Sequence, residues 1–224
     1  MRIFNCLLNL FFPPRCAFCR AILRPDEQMG HICKTCLDTL PICQPGSVLQ
    51  EGESYIACIS PLYFVENTRD SLHRFKFSAR REYSKAYAPI LAACIIEQYD
   101  GLYDIFSWVP VSDKRRRERG YDQAMLLALE TARCLSQQAI QTLQKVKDTK
   151  PQSSIGAMNV RFENVKSAYA AIDPEYIAEK RVLLIDDVVT TGATLSAAAQ
   201  ALLDAGAKQV FCATLAQTKK KTVQ

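Results

Sequence analysis

The sequence predicts an α/β protein in which a mostly parallel sheet is flanked by helices and preceded by a small module built around cysteines. Three observations lead there. The run Val182-Leu183-Leu184-Ile185 is continuously apolar and β-branched, which suits a central strand covered on both faces. Strand-like and helix-like segments alternate from Tyr55 onward, and right-handed crossovers turn such alternation into a doubly wound sheet. Ahead of them, residues 1–45 are rich in Cys, Pro and polar side chains and show no long period. The expected boundaries are therefore a module over 1–45 and a main domain over 46–224.

The elements follow in order. Met1 to Phe12 reads as a short amphipathic helix, because Asn5 and Asn9 interrupt the apolar stretch and no small-residue cleavage site precedes Pro13-Pro14. It is too short to span a bilayer, so no membrane insertion is expected. Ile56 to Val65 reads as a strand and Glu82 to Tyr99 as a helix kinked at Pro89. Ile105 to Val111 reads as a second strand. A long helix is expected from Asp122, its N-cap, to about Gln144, with Met125, Leu129 and Ala132 inward. Lys145 to Glu163 lacks a period and reads as a functional loop. Val165 to Ile172 is strand-like. Arg181 to Ile185 is the central strand, Thr194 to Ala205 a helix stopped by Gly206, and Gln209 to Ala216 the last strand.

Composition narrows the class. The chain has 224 residues, 49% of them AVILMFWYC and 23% charged, which is globular composition without the charge excess of a disordered segment. The net charge of +5 is local: Lys114-Arg115-Arg116-Arg117-Glu118-Arg119 is its densest run, with further clusters at Arg74 to Lys76, Arg80-Arg81, Lys145 to Lys150 and Lys219 to Lys221. Such clusters attract anions, polyphosphate or a nucleic-acid backbone alike. Five of the ten cysteines lie between Cys16 and Cys43. Clustering of this kind is a metal pattern rather than a disulfide framework, which places the chain in a reducing cytoplasm.

Within that cluster, Cys16-x2-Cys19 and Cys33-x2-Cys36 are two CxxC pairs thirteen residues apart, the spacing of a structural Zn²⁺ site with four thiolate ligands. His31 or Cys43 could replace one ligand. A second chemical signal lies at the end of the central strand. Asp186-Asp187 is followed by Thr190-Thr191-Gly192-Ala193-Thr194, which turns the chain into a helix. Free backbone N–H groups at that helix start, three threonine hydroxyls and a turn-permitting Gly192 form a nest for phosphate. Two adjacent carboxylates suit a vicinal diol or Mg²⁺ held through water. A ribose phosphate carries both features.

The thirteen positions from Val182 to Thr194 resemble the signature that binds 5-phosphoribosyl-1-pyrophosphate (PRPP) in type I phosphoribosyltransferases. Val109-Pro110-Val111-Ser112, Arg115, Arg119-Gly120-Tyr121-Asp122-Gln123, Thr149, Gln152, Arg161 and Asn164 resemble the spaced motifs of the ComF competence family. The resemblance implies that Asp186 and Asp187 contact the ribose hydroxyls and that Thr190 to Thr194 hold the 5′-phosphate. It implies a pyrophosphate loop at Val111 and Ser112, supported by Arg115 and Arg119, and a closing loop from Lys145 to Arg161. Magnesium accompanies PRPP in this picture. The reaction implied is displacement of pyrophosphate from the anomeric carbon by an acceptor that the sequence does not name. The family resemblance also implies DNA uptake or utilisation, often beside a helicase-like partner. A non-catalytic role with single-stranded DNA stays open, with Tyr83, Tyr87 and Tyr121 as candidate stacking residues. Asp122 stands where the family more often has Asn, and it adds a negative charge near the pyrophosphate loop.

Overall fold

The computed structural model describes residues 13–27, 30–44, 49–147 and 168–219. The expected N-terminal helix, most of the expected closing loop with Arg161, and Lys220-Lys221 lie outside the described residues.

Six strands form the main sheet: five in the order β1 (Leu49–Gln50), β2 (Cys58–Ile59), β8 (Gln209–Gln217), β7 (Arg181–Val189) and β4 (Ile105–Trp108), and β3 (Leu62–Tyr63), which also pairs with β8. All pairings are parallel except β1 with β2. The expected strand over Ile56 to Val65 is broken at Ser60-Pro61, because proline offers no N–H to the ladder. β2 and β3 thus flank β8 as two short pieces. β5 (Leu143–Lys145) and β6 (Tyr169–Ala171) form a separate antiparallel pair.

Side chains of β7 alternate between two cores, as the continuous apolar run requires. Leu183 and Ile185 face α3 (Tyr83–Tyr99) and α5 (Gln123–Cys134), in one cluster with Tyr87, Leu91 and Leu127. Val182 and Leu184 face α7 (Ala193–Asp204), in the other cluster with Leu195, Ala198 and Leu202. α7 ends before Gly206, whose φ of 92° only glycine adopts without strain.

Three expectations need correction. The long helix after Asp122 stops at Cys134, about ten residues early: the chain turns at Ser136 (φ 54°), and Ile140 donates its N–H to the Phe106 carbonyl beside β4. Its buried face is Ala124, Leu127, Ala128, Thr131 and Ala132, so Leu129 points to solvent. The strand over Ile105 to Val111 ends at Trp108, before Pro110. Besides two one-turn helices, two longer ones were not expected, α2 (Glu66–Phe77) and α4 (Asp113–Arg119). α2 buries Thr68, Ser71, Leu72 and Phe75, an i, i+3, i+4, i+7 stripe half made of hydroxyl residues, which hides it from a reading based on hydrophobicity. A one-turn helix α1 (Lys34–Asp38) belongs to the cysteine module, and another, α6 (Pro174–Ile177), precedes β7.

The module does not keep a core of its own. Cys16, Ala17, Phe18, Leu23, Cys33 and Cys36 belong to the same cluster as Phe75 and Tyr87.

Candidate functional site

β7 outruns its neighbour. Pairing with β4 ends at Trp108 opposite Ile185, and the Val109 N–H closes the ladder on the Ile185 carbonyl. β7 continues against β8 alone, through Asp186 opposite Thr214 and Val188 opposite Ala216. The two acids therefore stand in the strand itself, beyond the carboxyl end of β4, where open α/β sheets leave a crevice. Asp187 is buried and Asp186 half-buried. The Asp187 N–H donates to Asp186 Oδ1 at 2.8 Å, and Lys76 of α2 reaches Asp187 Oδ2 at 2.9 Å. Burial, then the neighbouring charge of Asp187, pushes the Asp186 carboxyl well above the usual carboxylate range.

The chain then turns into α7. Thr190, Thr191, Ala193 and Thr194 are exposed. Gly192 caps the helix in the left-handed region (φ 77°) and has no side chain with which to accept; the Ala193 N–H donates to Thr191 Oγ1 at 3.4 Å, and no side chain of the cap itself covers the N–H groups that follow. A Cβ at Gly192 would lie 2.7 Å from the Tyr55 hydroxyl. Glycine is thus required twice, by conformation and by the close approach of a buried tyrosine.

Across the crevice, Val111 and Ser112 lead into α4. Ser112 caps that helix by accepting from the Arg115 N–H at 3.3 Å. Asp122 caps α5 by accepting from Met125 (3.0 Å), and its other oxygen accepts from the Val111 N–H (2.9 Å). The acid that departs from the ComF pattern therefore ties the 109–112 segment to α5. Burial raises its carboxyl.

Arg115 and Arg119, one turn apart on α4, are half-buried toward a groove against α2, whereas Arg116 and Arg117 face solvent. The groove measures about 770 Å³ and is also lined by Phe64, His73, Lys76 and Phe77. Burial first, then Arg115, lowers the proton affinity of the Arg119 guanidinium. Lys145 lies in β5, opposite Tyr169 of β6, with Nζ 3.2 Å from the tyrosine hydroxyl. It stands at the root of the expected closing loop rather than within it. Lys76, Phe77 and Tyr55 were not among the expected site residues. The signal for the first two was the helical stripe of α2; nothing local marked Tyr55.

Cys16, Cys19, Cys33 and Cys36 place their Sγ atoms within 4.8 Å of one another. A tetrahedral Zn²⁺ with Zn–S of about 2.3 Å sets sulfurs roughly 3.8 Å apart, and Cys19 and Cys33 stand at 3.6 Å. The Cys33 and Cys36 N–H groups donate to Cys16 Sγ and Cys33 Sγ at 3.4 Å each. The four thiols fit a structural zinc. The metal-binding group contains neither His31 nor Cys43, and Cys43 Sγ instead accepts from Gln217 Nε2 at the end of β8 (3.1 Å). The knuckle is keyed to α2: Ser71 Oγ donates to the Ala17 carbonyl at 2.6 Å, and Arg74 Nη2 reaches the Ala17 and Phe18 carbonyls at 3.0 and 2.6 Å.

A parallel sheet with this turn after β7, carrying a four-cysteine knuckle, defines a phosphoribosyltransferase-fold protein with an N-terminal zinc ribbon. Matching family models agree: a phosphoribosyl transferase domain covers residues 125–224 and a double zinc ribbon domain residues 7–54. The chain belongs to the ComF family of competence proteins. It is 30% identical to the DNA utilization protein YhgH of Salmonella typhimurium over 87% of this chain and 88% of that one. It is 26% identical to competence protein F of Haemophilus influenzae, covering 89% and 95%, and 27% identical to competence protein ComFC of Bacillus subtilis, covering 83% and 82%.

Proposed function

We propose that the chain binds PRPP with Mg²⁺ in the crevice at the end of β7 and serves DNA uptake or utilisation, as the names of its relatives suggest, in the reducing cytoplasm that its clustered cysteines favour. One observation carries the first part: β7 extends past β4 and leads directly into an exposed helix start whose cap residue, Gly192, offers no side chain. The Thr190 to Thr194 N–H and hydroxyl groups would take the 5′-phosphate. Asp186 and Asp187 would accept from the ribose hydroxyls, and two carboxylates are also the hard-oxygen donors that Mg²⁺ prefers. Mg²⁺ would supply charge neutralisation for the pyrophosphate oxygens. Arg115 and Arg119 would share that task, with Val111 and Ser112 shaping the loop beside them. The bond from the anomeric carbon to pyrophosphate would break as the acceptor bonds to that carbon.

In this reading residues 1–45 are the zinc-binding module and 46–224 the phosphoribosyltransferase-like domain, with the closing loop running from Lys145 through Arg161. Calorimetric titration with PRPP and Mg²⁺ tests binding, and a pyrophosphate-release screen across nucleobases and amines tests turnover. Absence of heat in the first would end the PRPP reading.

A second reading, a non-catalytic factor that handles single-stranded DNA beside a helicase-like partner, is favoured by the cation-lined groove between α2 and α4. The expected stacking residues do not support it: Tyr83, Tyr87 and Tyr121 are all buried in the core.

A further inference from the structure

Phe77 is the last residue of α2, and 59% of it is exposed, whereas Phe75 two residues earlier is fully buried. Its ring is not loose. The His73 ring lies 4.8 Å away at 44°, and the Arg119 guanidinium sits over it at 4.9 Å. Arg119 is itself held by Gln123 Oε1 at 2.8 Å. A large apolar ring, oriented by two neighbours and presented at the mouth of a groove, is a surface prepared for another flat group. The charges on the walls say what that group is attached to. Arg69, Lys76, Arg115 and Arg119 line the groove against the single acid Glu118. Arg115 and Arg119 stand one turn apart on α4 and are both half-buried toward the groove, so a phosphate there meets two guanidinium groups at once. A neutral free base would gain nothing from these cations.

We propose that the α2–α4 groove seats a single strand of nucleic acid, with one unpaired base stacked on Phe77 between His73 and Arg119 and the flanking phosphates on Lys76, Arg115 and Arg119. The proposal rests on the second reading above and narrows it to one groove. Because Lys76 also contacts Asp187, a strand lying there runs past the crevice at the end of β7.

The test uses the full chain and fluorescence anisotropy of a labelled oligothymidylate of roughly twelve nucleotides, within the span such grooves accommodate. Its counterparts are an abasic strand of equal length and free thymidine. The expected result is that Phe77→Ala weakens the oligothymidylate about tenfold, the loss of one stacked base, leaves the abasic strand unchanged, and is rescued by Phe77→Trp. Equal affinity of the wild type for the two strands, indifference to Phe77→Ala, or Phe77-dependent binding of thymidine without binding of the strand would each overturn it. PRPP titrations on the same proteins separate the two ideas. PRPP heat without base-dependent strand binding removes only the groove proposal, and Phe77-dependent strand binding without PRPP heat removes only the ribose-phosphate site.

Discussion

Asp186 and Asp187 are neighbours in sequence with different surroundings. Lys76 neutralises Asp187, whereas burial and that neighbour raise the Asp186 carboxyl. Ionising Asp186 therefore costs the folded state. Wild-type stability should fall as pH rises from about 3.9, the free aspartate value, to the raised native value. Asp186→Asn should be spared that loss, so the gap between the two melting temperatures should widen over this interval. Binding of PRPP with Mg²⁺ favours the charged carboxylate and should release protons near neutrality, read as a calorimetric heat that depends on the buffer's ionisation enthalpy. Asp186→Asn should abolish that dependence. Gly192 offers a second test at the same scale. Gly192→Ala should lose roughly 1–2 kcal/mol for a left-handed alanine and should also meet the Tyr55 hydroxyl. Tyr55→Phe should recover part of the loss, since the ring carbon bearing that hydroxyl is 3.9 Å from the added Cβ. A double-mutant cycle in urea measures this, and a zero coupling term would disprove the contact.

At the scale of elements, α2 joins the zinc knuckle to the crevice. Ser71 and Arg74 hold the Ala17 and Phe18 carbonyls, and two residues further along Lys76 holds Asp187. Removing zinc should therefore loosen more than the cysteines. Hydrogen exchange after chelation is expected to rise in residues 66–77 as well as in 16–36, and protection confined to its original level in α2 would contradict the link. Arg74→Met takes the donor from the Phe18 carbonyl, while the Ala17 carbonyl keeps Ser71 Oγ, and should cost about 1–3 kcal/mol. Ease of reading the sequence differed sharply between elements. α7 and β8 were legible because alanine, leucine and valine mark their buried faces at helical and strand spacing. α2 and α4 were not, since one buries hydroxyl residues that bond to a distant loop and the other buries no residue fully. Arginines that look like one solvated run divide on α4 into a groove pair and an outer pair.

For the whole molecule, the shared core predicts shared cooperativity. Phe18 packs on Tyr87 with ring centroids 5.7 Å apart, so knuckle and sheet domain bury one another. Calorimetry of the zinc-loaded chain should show one endotherm that shifts as a unit on chelation; two independent transitions would show that the module folds by itself. None of the helices among the described residues is long and apolar enough to cross a membrane.

By itself the sequence determined the parallel α/β class, the four-thiol knuckle and the passage from strand to helix between Asp186 and Thr194, because buried strands, metal ligands and helix starts are each specified by residues close together in the chain. Only the tertiary structure decided that Lys76 faces Asp187, that Tyr55 abuts Gly192, that Phe77 is exposed while Tyr83, Tyr87 and Tyr121 are buried, and that Asp122 braces a loop. Those pairings join residues up to 137 positions apart, and which face of a helix meets which strand is settled by packing of the whole sheet rather than by any local pattern.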